Sequence, residues 1–101
     1  MHITIYGKPG CLYCEKAINL ASKLFDLSHN VDYEYKIMTE FDKHYLNVKY
    51  RLKITRVPQI IIDGQHIGGF YEFDQYIRNL YDCDVNQLSS ELSGSDFSAE
   101  F

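Results

Sequence analysis

Two cysteines separated by two residues, Cys11-Leu12-Tyr13-Cys14, constrain this chain more than any other feature. They follow a short β-branched run, His2-Ile3-Thr4-Ile5-Tyr6, and the breaker Gly7-Lys8-Pro9-Gly10, and they open a long helical pattern. A strand that turns through glycine and proline into a helix places both thiols in the first helical turn. Unpaired backbone N–H groups and the positive end of the helix dipole favour a thiolate there, and the thiolate is the nucleophile. The second thiol, one turn on, is in reach of a mixed disulfide formed by the first. Cys11 is therefore expected to face solvent and Cys14 to be the more buried of the two. The spacing alone also suits half of a zinc site, with Cys83 and a histidine to complete it. The chain has no second C-x-x-C and no closely spaced histidine pair.

Periodicity orders the rest. Residues 2–6 read as a strand with Ile3 and Ile5 on one face. Cys14, Ala17, Ile18, Ala21, Leu24 and Phe25 recur at helical spacing over about four turns, ending near Ser28-His29-Asn30. Asp32-Tyr33-Glu34-Tyr35-Lys36-Ile37 reads as a second strand, which makes a right-handed parallel βαβ unit the natural arrangement. A helix is expected from about Phe41 to Leu52, with Phe41, Tyr45, Val48 and Leu52 lining one face. Val57-Pro58-Gln59-Ile60-Ile61-Ile62 reads as one buried strand. Asp63-Gly64 is a hairpin signal, with Gln65-His66-Ile67-Gly68 as the return strand. A last helix follows Gly68-Gly69, with Phe73, Ile77 and Leu80 inside. Residues 83–101 mix serines and acids without a clear apolar period, and read as an acidic, flexible tail that fold and chemistry do not need.

The order β-α-β-α-β-β-α with C-x-x-C opening the first helix points to an α/β, thioredoxin-like fold: a four-stranded mixed sheet flanked by three helices. Over residues 1–82 the chain resembles a glutaredoxin. Four features carry the resemblance: Lys8 three before the first cysteine, Cys11-Leu12-Tyr13-Cys14, Val57-Pro58-Gln59, and Ile67-Gly68-Gly69.

The resemblance implies a glutathione-dependent thiol–disulfide oxidoreductase that reduces protein disulfides and glutathione mixed disulfides, with ribonucleotide reductase as the family's best-known client. It makes Cys11 the attacking thiol and Cys14 the resolving one. It implies a glutathione groove formed by Lys8, Tyr13, Arg56, Val57, Pro58, Gly68, Gly69, Phe70, Tyr71 and Glu72. Within that groove Lys8 would anchor a carboxylate, a cis Val57–Pro58 bond would free the Val57 backbone to pair with the thiol peptide, and Gly68-Gly69 would hold the γ-glutamyl end. Three positions depart from the family: Tyr71, where serine or aspartate is usual; Leu12, where proline is commonest; and Arg56, where threonine usually precedes Val-Pro.

Two rival functions keep the same fold. One draws electrons from a thioredoxin reductase. The other is a carrier that holds an iron–sulfur cluster between two protomers with glutathione as co-ligand, though the bulky Leu12 does not suit it. Glutathione is expected as co-substrate, with no bound cofactor and no metal, in a monomer. A net charge of −4 argues against nucleic-acid and anionic-membrane partners. No apolar run nears the roughly 20 residues that span a bilayer, and the opening residues do not form a signal peptide. The expected compartment is a reducing cytoplasm, where a lone cysteine pair is not a structural staple; Cys83 reads as a spectator.

Overall fold

The computed structural model describes residues 1–28 and 30–81, together with the backbone of residues 99–100; Cys83 and the rest of the acidic stretch lie outside the described residues. The elements run β1 (His2–Gly7), α1 (Leu12–Leu27), β2 (Asp32–Ile37), α2 (Glu40–Tyr50), β3 (Arg56–Val57), β4 (Gln59–Ile62), β5 (Gln65–Gly68), α3 (Phe70–Tyr81) and β6 (Ala99–Glu100). Four strands form one mixed sheet in the order β2-β1-β4-β5. β1 pairs in parallel with β2, from His2 opposite Asp32 to Gly7 opposite Ile37, and antiparallel with β4, from Ile3 opposite Ile62 to Tyr6 opposite Gln59.

The isoleucine run is buried because the sheet is covered on both faces. Side chains alternate along a strand, so Ile60 and Ile62 join Ile3 and Ile5 in a core with Ala17, Leu20, Leu24, Phe73 and Ile77 of α1 and α3. Ile61 points the other way, into a smaller cluster with Met38, Leu46, Ile54, Val57 and both cysteines. The cysteine pair therefore belongs to the core on the α2 side.

The β4–β5 hairpin turns through Asp63 (φ 51°) and Gly64 (φ 80°), the two left-handed residues that a tight hairpin turn requires. Asp63 also ties the turn to β1. Its Oδ1 accepts the His2 N–H at 2.8 Å, and its own N–H donates to the His2 carbonyl at 2.9 Å.

Three expectations are corrected. First, α2 is reversed. Phe41, Tyr45 and Val48 are 76%, 48% and 65% exposed, while Leu46 is the buried residue of this helix. The local polar bonds fix which side faces in. Thr39 and Asp42 form a reciprocal capping box at the helix start, and the Asn47 side chain accepts the Ile54 N–H at 2.8 Å. These anchors hold the Leu46 side against the sheet, and the apolar stripe is left outside. Second, Leu80 is 52% exposed, and the inner face of α3 is Phe70, Phe73, Asp74 and Ile77. Third, the expected strand from Val57 to Ile62 is two strands, divided at a cis Val57–Pro58 bond.

Candidate active site

Cys11 is the N-cap of α1, with extended backbone, and its sulfur accepts the Cys14 N–H at 3.1 Å. The two cysteines are joined in a disulfide with their Cα atoms 5.2 Å apart. The Cys11 sulfur also lies 3.9 Å from the Val57 carbonyl oxygen. Both cysteines are 1% exposed, so the expectation that Cys11 faces solvent does not hold here. The Cys11 sulfur is instead packed in one cluster with Val57, Ile54 and Ile61, where it meets Cys14 and the Val57 carbonyl.

Gly7 is the residue that sequence reasoning passed over. A Cβ on it would lie 2.8 Å from the Cys14 sulfur and 2.9 Å from the Tyr35 ring and hydroxyl. Only glycine lets the end of β1 pass that close to the Cys14 sulfur. Its sequence signal was a small residue four before the first cysteine, read only as part of a turn. Tyr35 itself donates its hydroxyl to the Lys8 carbonyl at 3.3 Å, fixing the loop between β1 and Cys11. Desolvation, with a smaller push from the Glu15 charge, raises the Tyr35 pKa above its ordinary value.

Tyr13, expected to line the groove, is buried. Its ring packs against Phe70 with centroids 5.8 Å apart, and the Lys16 ammonium lies 5.8 Å from its centroid. Phe70 fills the same core and is itself buried. This ring pair links the first turn of α1 to the first turn of α3. Lys8, three residues before Cys11, is partly buried, and Arg56 is exposed. Arg56 also lines a cleft of about 230 Å³ with Lys53 and His66. Pro58 and Val57 are buried, so Val57 meets the site through its backbone.

At the glycine end Gly68 has φ 129°, a conformation that favours glycine. A Cβ there would meet the Glu72 side chain at 2.9 Å. Glu72, in the first turn of α3, accepts the Gly69 N–H at 2.8 Å. It thus caps its own helix at the place where the resemblance puts the carboxylate of a ligand. Tyr71 is 53% exposed beside it. From β5, His66 bonds through Nε2 to Gln59 Oε1 at 2.8 Å, and Gln59 Nε2 donates to the Arg56 carbonyl at 2.9 Å. This chain links the glycine end to β3. Burial pushes the His66 pKa below 6.5, with the Glu72 charge pulling it back up.

Among the described residues no cluster of histidines, cysteines and carboxylates has the arrangement of a metal site, and no helix is long and apolar enough to cross a membrane. Fold and site together define a thioredoxin-like thiol–disulfide oxidoreductase. Residues 3–67 match the sequence model of the family described as Glutaredoxin. The chain is 37% identical over 85 residues to glutaredoxin 1 of Escherichia coli K12, covering 82% of this chain and 100% of that relative. It is 37% identical over 83 residues to a glutaredoxin of Haemophilus influenzae, covering 80% and 95%. The structure of reduced Escherichia coli glutaredoxin superimposes with a TM-score of 0.74 at 34% identity, covering 82% of this chain and 100% of that one. The chain belongs to the glutaredoxin family, and the part of it outside those alignments has no counterpart in the Escherichia coli protein.

Proposed function

We propose that this glutaredoxin draws its electrons from glutathione and reduces protein disulfides and glutathione mixed disulfides. The observation that carries this reading is the Tyr13–Phe70 contact, because it sets the dithiol helix start beside the glycine-lined start of α3. A tripeptide bonded through its thiol to Cys11 then has backbone groups of Val57 on one side and of Gly69 on the other.

The reaction runs as two exchanges. The Cys11 thiolate attacks one sulfur of a substrate disulfide; that S–S bond breaks, and the leaving thiolate takes a proton from solvent. The Cys14 thiolate then attacks the Cys11 sulfur, releasing the second substrate thiol and leaving the Cys11–Cys14 disulfide. Two glutathione molecules restore the dithiol. The first forms a mixed disulfide at Cys11 and frees Cys14; the second displaces Cys11 as glutathione disulfide. In this reading Lys8 holds a glutathione carboxylate, assisted by Arg56, and Tyr71 and Glu72 meet the γ-glutamyl end. In this reading the protein acts as a cytoplasmic monomer, and ribonucleotide reductase is a candidate client.

The Glu72 carboxylate on the Gly69 N–H favours a second reading, electron supply by a thioredoxin reductase, because it occupies a donor glutathione would use. A coupled assay on a small glutathione mixed disulfide separates the two. Turnover with glutathione, glutathione reductase and NADPH is expected, with none when thioredoxin reductase and NADPH replace them. The reverse result would sink the glutathione reading.

A further inference from the structure

β3 is two residues long and stands outside the four-stranded sheet. Its backbone edge is nevertheless paired. β6 lies antiparallel along it, with Glu100 opposite Arg56 and Ala99 opposite Val57. The partner of Ala99 is thus the residue whose carbonyl lies 3.9 Å from the Cys11 sulfur. Cys11 is 1% exposed and Val57 0%, although exchange requires another sulfur to approach Cys11 from outside.

An extended peptide that brings a disulfide to Cys11 carries its own row of N–H and C=O groups. Desolvating them beside the site leaves them unpaired unless a strand edge takes them, and the edge next to Cys11 is Arg56–Val57. A two-residue edge pairs with one extended chain at a time. Residues 99–100 hold it in this structure. The register also opposes residues of opposite charge, Arg56 and Glu100, the arrangement that favours cross-strand pairing.

We propose that Ala99–Glu100 acts as an internal competitor, a strand of the chain itself that occupies the substrate edge of β3 and must leave before an extended disulfide substrate docks. This rests on the reading that the Val57 backbone receives substrate. The apparent affinity for substrate is then reduced by the fraction of molecules in which the edge is vacant. Pairing this short is displaced readily, so it weakens substrate binding without blocking turnover.

The test uses the full chain and the full-chain double variant Ala99→Pro/Glu100→Pro, which removes both N–H groups of the strand. A disulfide-bridged fluorogenic peptide serves as substrate, with dithiothreitol regenerating the dithiol so that glutathione plays no part. The KM for the peptide is expected to fall by about fivefold in the variant, as for an edge vacant in roughly one molecule in five, with kcat unchanged. The slower-exchanging of the Arg56 and Val57 amides is expected to lose protection in the same variant. The free peptide spanning residues 95–101 is expected to inhibit the variant competitively. Equal KM values would overturn the competition, whatever the amides do. Equal amide exchange would overturn the pairing. If both proteins fail with glutathione while the dithiothreitol-driven KM still falls, the glutathione reading is lost and the internal competitor stands.

Discussion

At one end of the site Cys11, Cys14 and Val57 are each no more than 1% exposed, packed in one cluster with Leu46, Ile54 and Ile61. At the other end Tyr71 is 53% exposed, and Glu72, on the surface, reaches back to the Gly69 N–H. The first end is held by core packing and backbone geometry, where the cost of moving a group is the cost of disturbing the fold. The second is held by exposed side chains, whose contacts are worth less and rearrange cheaply. The difference separates two properties of the protein. The chemistry of exchange resides in the buried end. Under the proposed function, affinity for glutathione resides in the exposed end, around Tyr71 and Glu72.

The largest expected effect is at the buried end. Cys11→Ser removes the attacking sulfur and is expected to abolish exchange with every substrate, measured as turnover against background. Residual activity above a percent of the parent's would move the nucleophile elsewhere. Gly7→Ala comes next. The added Cβ would meet the Cys14 sulfur at 2.8 Å and Tyr35 at 2.9 Å, and overpacking of this kind costs about 1–3 kcal/mol. For a domain of this size that corresponds to a fall in Tm of roughly 4 °C or more, along with slower release of protein substrates that depend on Cys14. An unchanged Tm would show that the buried end yields more than its packing suggests.

The exposed end responds more gently. Tyr71→Asp places a carboxylate in the first turn of α3, where it can pair with the γ-glutamyl amine. An exposed pair is worth about 1 kcal/mol, so the KM for glutathione is expected to fall by about fivefold. A KM that stays the same or rises would take Tyr71 out of the recognition of glutathione. The smallest effect is read at His66. Its folded pKa is lowered below 6.5 by burial, so the neutral form is favoured in the native state. The stability this confers is present above pH 6.5 and is lost as pH falls through the folded pKa. Because the Glu72 charge opposes that lowering, Glu72→Gln is expected to push the His66 titration, followed by NMR, lower still. No shift would place the Glu72 carboxylate away from the Gly69 N–H in solution.

The same division governs what could be read in advance from residues alone. The dithiol at the head of α1, the Asp63-Gly64 turn and the both-faces burial of Ile60–Ile62 follow from local chemistry and strand period, and all three stand in the structure. The inner face of α2 does not follow from hydrophobic spacing. Phe41, Tyr45 and Val48 form the better apolar stripe, yet the Thr39–Asp42 box and the Asn47–Ile54 bond turn it outward. Gly7 escaped notice because its role depends on where Cys14 lies in space. The cap that Glu72 makes was hidden for a different reason: it is a choice of rotamer on an exposed side chain. The pairing of β3 with β6 joins residues more than forty positions apart across two residues each, and no periodic pattern announces it.

The most direct measurement compares Cys14→Ser with the parent on two substrates, a glutathione mixed disulfide and a protein with an intramolecular disulfide, both with glutathione as reductant. The first needs only the Cys11 thiol, and the second needs Cys14 to resolve the mixed disulfide. Cys14→Ser is expected to keep turnover of the glutathione mixed disulfide and to lose reduction of the protein disulfide. Equal loss on both substrates would contradict the assignment of attack to Cys11 and resolution to Cys14.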